Sequence, residues 1–328
     1  MKGIVYTQFG TPEVLKLMDV EKPVPKVNQV LIKVKASSLT NLEYARFMEP
    51  IEGGKPPLMI RLMDKALKVE GKVIGSEVSG IVEEVGKCVT GVKKGDEIFA
   101  VTVGLQGAWA EYAVADETAI CLKPGNLSFE AAAVIPVGGI TALGAVRTAK
   151  VKDGRQVLVY GASGGVGQYA LQLSKAYGAT VTAVCSTRNL DMARSIGADY
   201  VIDYKQEDFT KTGKTYDAII AVNGYNPIGI YKKLLNKNGI YVAIGGMKQG
   251  IMGILQGPFY SGGGKKMTAS TYFKAARQKC LPHLKQLAEE GKITPFIDKV
   301  FSVKDISQAI AYIVKNHAQG KVAINMDI

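Results

Sequence analysis

The chain has 328 residues, 47% hydrophobic and 8% aromatic, enough to bury the cores of two domains and too apolar for a disordered polymer. No stretch of about 18 apolar residues occurs, which argues against a membrane-spanning helix, and four scattered cysteines without a CxxC pair argue against a disulfide framework or a zinc knuckle. The formal charge of +12, from 41 basic and 29 acidic residues, bears on partners and not on fold.

The opening Met1-Lys-Gly-Ile-Val-Tyr6 runs directly into strand-like sequence, without the apolar segment and small-residue cleavage site of a secretory leader, so a cytoplasmic protein with reduced thiols is expected. In Gln29 to Lys35 the apolar Val30, Ile32 and Val34 alternate with other side chains, the period of a strand. Short Val/Ile runs then alternate with Gly75, Gly80, Gly86, Gly91 and Gly95, which predicts a small barrel or sandwich.

Around Pro124 the pattern changes. Strands are predicted at Val157–Tyr160, Val181–Val184, Tyr200–Ile202, Ala218–Val222 and Ile240–Ile244, with helices at Val166–Ala176 and Asn189–Ile196. Apolar strands alternating with amphipathic helices predict a parallel sheet covered on both faces. Gly250 to Gly264 reads as a mobile glycine-rich loop beside a pocket. Two helices, Leu281–Glu290 and about Asp305–Lys315, precede a last strand, Lys321–Asn325. From Ala218 to Ala288 there is no acidic residue but ten Lys or Arg. Nucleic acid, an anionic membrane or an anionic ligand could each use such a field; a solvated surface on an enzyme with a polyanionic cofactor is the preferred reading, and no nucleic-acid partner is expected.

The chemistry lies after the strand at Val157. Gly161-Ala-Ser-Gly-Gly-Val-Gly167 joins that strand to a helix, which is the required context for a dinucleotide-binding turn. Ser163, Gly164, Gly165 and Val166 would approach the pyrophosphate, Gly167 would let helix and strand pack closely, and free N–H groups at the helix start would hold the anion. Enzymes that use NAD place an acid at the end of the second strand for the ribose 2′-hydroxyl. Thr180 to Leu190 contains none; Ser186 and Arg188 stand there instead, suited to a 2′-phosphate, so NADPH is the expected cofactor.

With these residues the chain resembles the medium-chain dehydrogenase/reductase superfamily, and within it the zinc-free NADPH quinone oxidoreductase (ζ-crystallin-like) branch. The resemblance rests on Gly75-Ser-Glu-Val-Ser-Gly-Ile-Val82, Val92 to Phe99, Gly107-Ala-Trp-Ala-Glu-Tyr-Ala113, Ile135 to Ala142, the glycine turn, Arg194 to Asp199 and Gly320 to Ile324. It implies an α/β protein: a GroES-like β-rich catalytic domain from residues 1–124 and 272–328, and a Rossmann doubly wound parallel sheet domain, 125–271, that binds NADP. It also implies that Thr141 lies near the nicotinamide, Tyr204 near the 2′-phosphate, and Asn223 and Gly245 on the rim under the ribose and nicotinamide. Thr40 and Tyr44 would line the substrate pocket, although a one-residue shift would put Asn41 where relatives carry asparagine. No metal is expected: zinc relatives have Gly-His-Glu where this chain has Gly75-Ser-Glu77, and no three ligands converge.

Without a metal or a Tyr-x-x-x-Lys base, hydride addition to a quinone or an α,β-unsaturated carbonyl is the expected reaction, because the developing charge spreads over the acceptor. A 2-alkenal or enoyl-thioester reductase and, more remotely, an NADPH-binding protein that interacts with RNA are the alternatives. The resemblance also implies a homodimer. No catalytic residue is assigned.

Overall fold

The computed structural model describes residues 1–8, 10–40, 71–222, 226–244, 247–270, 280–316 and 318–328, with Glu43, Ala45, Leu58, Arg61, Leu62 and Lys65. The chain forms two compact units, Met1–Val137 with Ile297–Ile328, and Gly138–Phe296.

The first unit begins with β1 (Lys2–Tyr6) and β2 (Leu15–Asp19), which form a three-stranded sheet with β4 (Lys72–Val73). The long β3 (Gln29–Leu39) bonds antiparallel to both β5 (Glu77–Val85) and β7 (Tyr112–Asp116), and β6 (Glu97–Val101) joins β5 to β8 (Ile120–Leu122). Bonded along both edges, β3 is buried on both faces over much of its length, so its core set is wider than the alternating Val30, Ile32 and Val34. Trp109, fully buried, fills the interior with Ile74, Val78 and Ile98.

The second unit is a parallel six-stranded sheet in the order β11-β10-β9-β12-β13-β14, built from β9 (Gln156–Tyr160), β10 (Thr180–Cys185), β11 (Tyr200–Asp203), β12 (Tyr216–Val222), β13 (Leu235–Ile244) and β14 (Lys266–Ala269). The order reverses between β10 and β12 around β9, the doubly wound arrangement that opens a ligand crevice at the carboxyl ends of the central strands. The chain then returns to the first unit as β15 (Ile297–Ser302), the helix Ile306–Asn316 and β16 (Lys321–Asn325), with β16 lying between β15 and β3.

The units divide at 137/138 and 296/297, further along the chain than 124/125 and 271/272, for local reasons. Ser79 Oγ donates to the Phe129 carbonyl at 2.5 Å, and Glu77 Oε2 accepts the Val137 N–H at 2.6 Å, which hold residues 129–137 to the first unit. At the other junction, Gln168 and Gln172, one turn apart on the helix Gly167–Ala176, each pair with a backbone N–H and carbonyl, of Phe296 and Thr294 respectively. The two amides act as a substitute strand for residues 294–296.

One expectation fails here. Residues 250–260 are not a loop but belong to the helix Met247–Tyr260, and only the short turn at 261–265 separates it from β14. A Cβ on Gly253 would stand 2.9 Å from the Ala243 Cβ, and one on Gly257 2.6 Å from the Met267 carbonyl oxygen. These glycines let the helix lie close against the sheet, and that packing outweighs their low helix propensity.

Candidate functional site

In the second unit, β9 leads directly into the turn Gly161–Val166, and the backbone N–H groups of Gly161 and Ala162 both bond to the Val184 carbonyl at the end of β10, at 2.9 and 3.3 Å. The two strand ends are thereby locked together. Gly161 has φ +75°, a left-handed conformation that glycine adopts without strain. A Cβ on Gly167 would sit 2.0 Å from the Gly161 carbonyl oxygen, and one on Gly138 2.8 Å from the Gly165 oxygen. Larger residues at these positions would break the close approach of helix, strand and turn.

After β10, a 3-10 turn, Thr187–Asn189, precedes the helix Leu190–Ser195. Ser186 and Asn189 are buried and Arg188 is exposed. The Asn189 amide nitrogen donates to Ser163 Oγ and to Ser186 Oγ, both at 2.9 Å, joining the glycine turn to the residue after β10. The Tyr204 N–H bonds to the Cys185 carbonyl at 3.2 Å, and the Tyr204 ring, 49% exposed, stacks on Tyr160 with centroids 6.5 Å apart. Ser163, Ser186 and Tyr204 therefore cluster about the ends of β9 and β10. Thr141 is buried in the helix Pro136–Thr148. Asn223 and Gly245 lie outside the described residues.

Sequence reading missed two side chains here. Asn189 had no signal beyond its place at a helix start. Asp203, thirteen residues beyond Leu190, is brought to the same corner by the pairing of β11 with β10. The Thr187 hydroxyl, with the Lys205 and Thr187 backbone N–H groups, holds the Asp203 carboxyl below its ordinary range, against the effect of burial. Asn189 Oδ1 and Asp203 Oδ2 are buried acceptors with no donor among the described residues. Two orphaned acceptors, two serine hydroxyls and a glycine cradle fit a dinucleotide whose ribose supplies donors and whose phosphates accept them.

In the first unit, Thr40 is buried, its N–H donating to Glu43 Oε2 at 2.8 Å and its hydroxyl donating to the same oxygen. Thr40 Oγ also lies 3.3 Å from Ser76 Oγ. Beside them is a buried ion pair, Lys321 Nζ to Glu77 Oε1 at 2.6 Å, with the side chains 5% and 0% exposed. Lys321 also donates to Ser38 Oγ at 2.9 Å and to the Leu39 carbonyl at 3.1 Å, and the Ser38 hydroxyl donates to Glu77. Tyr44 and Asn41 lie outside the described residues.

These residues do not fit a zinc site. Ser76 follows Gly75 in place of a histidine, both Glu77 oxygens are taken, and His283 Nε2 is paired at 2.9 Å with the Tyr177 hydroxyl. Among the described residues no three His, Cys, Asp or Glu side chains gather as a metal site. No helix among them is long and apolar enough to cross a membrane.

Comparison with known proteins agrees with this architecture. Residues 26–125 match the family model described as the alcohol dehydrogenase GroES-like domain, and residues 196–324 the one described as zinc-binding dehydrogenase. The chain is 32% identical to the NADPH-dependent alkenal/one oxidoreductase of Arabidopsis thaliana, over 99% of this chain and 79% of that protein. It is 31% identical to quinone-oxidoreductase QR1 of Triphysaria versicolor, over 99% of this chain and 98% of the relative. The solved quinone oxidoreductase of Coxiella burnetii superposes with a TM-score of 0.85 at 30% identity, covering 99% of both chains. The chain belongs to the medium-chain dehydrogenase/reductase superfamily, in its quinone oxidoreductase branch, and is an oxidoreductase that works with a nicotinamide cofactor.

Proposed function

We propose that this enzyme uses NADPH to reduce quinones or α,β-unsaturated carbonyl compounds, and does so without zinc. The observation that carries the cofactor choice is the end of β10, where Ser186 and Arg188 stand and the strand itself ends without an acid. A guanidinium and a hydroxyl suit a phosphate monoester, with charge-assisted hydrogen bonds. Asp203 favours the second reading, NADH, because its anionic carboxylate faces Thr187 in the same corner. Arg188 is the opposing charge, and the reading is that it prevails. Calorimetric titration of the purified protein with NADPH and with NADH tests this: tighter binding of NADPH is expected, and no heat of association with NADPH would end the proposal.

The cofactor, when bound, supplies the hydride. Ser163, Gly164, Gly165 and Val166 are read as holding its pyrophosphate, Ser186, Arg188 and Tyr204 its adenosine end, and Thr141, Asn223 and Gly245 its ribose and nicotinamide. Thr40 and Tyr44 are read as lining the acceptor pocket. The Thr40 hydroxyl, bonded to Glu43 and near Ser76, holds a proton within a buried polar chain. In a quinone or enone the charge that builds on the acceptor oxygen is delocalised, so positioning and a hydroxyl or water donor suffice where a simple ketone would need a Lewis acid. The names of the Arabidopsis and Triphysaria relatives support this acceptor class. NADPH consumption with 9,10-phenanthrenequinone, an enone and crotonyl-CoA tests it, and turnover of the thioester alone would replace it with an enoyl reductase.

A homodimer is part of the proposal. Strand β14 is an edge of its sheet, and the helix Met247–Tyr260 beside it exposes Ile254, Leu255 and Phe259, the last 88% exposed. Light scattering on the eluting protein tests this. We also read the chain as cytoplasmic, a compartment that keeps scattered thiols such as these four reduced; cell fractionation checks that reading.

A further inference from the structure

The amide of Asn189 is placed where it can set the direction of two hydroxyl protons at once. Its nitrogen carries two N–H groups, one spent on Ser163 Oγ and one on Ser186 Oγ, each at 2.9 Å. A hydroxyl has one proton. Once its oxygen accepts from Asn189, that proton cannot return along the same line and is offered elsewhere. Asn189 therefore turns both serines into outward donors. Ser163 belongs to the glycine turn after β9 and Ser186 follows β10, so one side chain bridges the two loops at the heart of the cofactor site.

The amide is not serving as an ordinary helix cap. It makes no side-chain cap bond to the helix Leu190–Ser195, and its Oδ1 is buried without a hydrogen-bond partner among the described residues. A buried amide whose oxygen goes unpaired sacrifices stability, and such groups persist where the other half of the side chain has a task. Phosphate oxygens only accept, whereas a ribose hydroxyl both donates and accepts. Two hydroxyls fixed as donors thus favour a ligand with phosphates at both places.

We infer that Asn189 is a positioning residue for NADPH specificity: it holds the Ser163 and Ser186 hydroxyls as donors toward the pyrophosphate and the 2′-phosphate of one cofactor. This rests on the NADPH reading above.

The test is a double-mutant cycle on the full chain, with Asn189→Ala, Ser186→Ala and the pair, titrated calorimetrically with NADPH, NADH, adenosine 2′,5′-bisphosphate and 5′-AMP. If Asn189 acts through Ser186, Asn189→Ala weakens the bisphosphate by about tenfold or more, the loss of one well-oriented charge-assisted bond. It weakens 5′-AMP by clearly less, through Ser163 alone, and in the Ser186→Ala background it costs the bisphosphate no more than it costs 5′-AMP. Should Asn189→Ala fail to fold, Asn189→Leu keeps the volume and removes only the polarity. Multiplying effects in the cycle, an unchanged bisphosphate affinity, or equal losses for bisphosphate and 5′-AMP would each overturn the inference. Wild-type protein that binds NADH as tightly as NADPH would instead remove the cofactor reading beneath it.

Discussion

Replacing Lys321 by methionine isolates the buried ion pair, because it keeps the length of the side chain and deletes its charge. Lys321 uses all three ammonium protons, on Glu77 Oε1, Ser38 Oγ and the Leu39 carbonyl. After Lys321→Met, the fully buried Glu77 retains, among the described residues, Ser38 and the Val137 N–H, and a carboxylate is left without its countercharge. Breaking a buried pair from one side costs about 3–5 kcal/mol, which at a urea slope of about 2 kcal/mol per molar lowers the midpoint by about 2 M. The molecule provides its own probe: its single tryptophan, Trp109, is buried in the same unit and donates from Nε1 to the Ser38 carbonyl at 3.3 Å. Its fluorescence therefore follows the unit that holds the pair. The double variant Lys321→Met/Glu77→Gln no longer buries a bare charge and is expected to be more stable than the sum of the single losses by at least about 1 kcal/mol. A Lys321→Met loss below about 1 kcal/mol, or strictly additive single losses, would refute the reasoning.

Four further outcomes follow. Arg188→Ala should raise the KM for NADPH at least about tenfold while barely changing that for NADH; equal changes would contradict the assignment. Gly167→Ala, whose new methyl would stand 2.0 Å from the Gly161 oxygen, should lower the melting temperature and abolish NADPH binding by calorimetry. Burial, with Arg147 nearby, holds His283 below the ordinary histidine range, so its folded pKa lies beneath its unfolded one. Its contribution is therefore fully present above the unfolded value near 6.5 and is lost as pH falls through the folded pKa. Melting temperatures of His283→Gln should fall less than wild type between about pH 7 and 5. Burial and the neighbouring Asp203 push the Cys185 thiol up to about 11, so iodoacetamide at neutral pH should label the exposed Cys88 and spare Cys185, as read by peptide mass.

Strands β9 to β13 and the helix after the glycine turn were legible in the sequence because each is a continuous apolar run or an amphipathic period set beside glycine punctuation. The helix Met247–Tyr260 was not, because Gly253 and Gly257 read as breakers until the Ala243 and Met267 positions they pack against are known. The glycine turn, Ser186 and Arg188 could be found by spacing alone. Asp203 could not: it lies beyond the reach of the β10 sequence and arrives sideways from β11. Nor could Lys321, a charged residue opening the strand Lys321–Asn325, whose partner lies 244 positions earlier. Charge pairing across that distance is decided by topology and leaves no local pattern.

The place of β16, between β15 and β3, has a consequence for biosynthesis. β16 inserts into the interior of a sheet whose other described strands, apart from β15, were synthesised before residues 138–296. Until residues 321–325 leave the ribosome, residues 36–39 of β3 lack their β16 partner and Glu77 lacks the Lys321 ammonium. The parallel sheet of residues 138–296 can close meanwhile, so the inserted unit can be complete while the first unit still lacks β16.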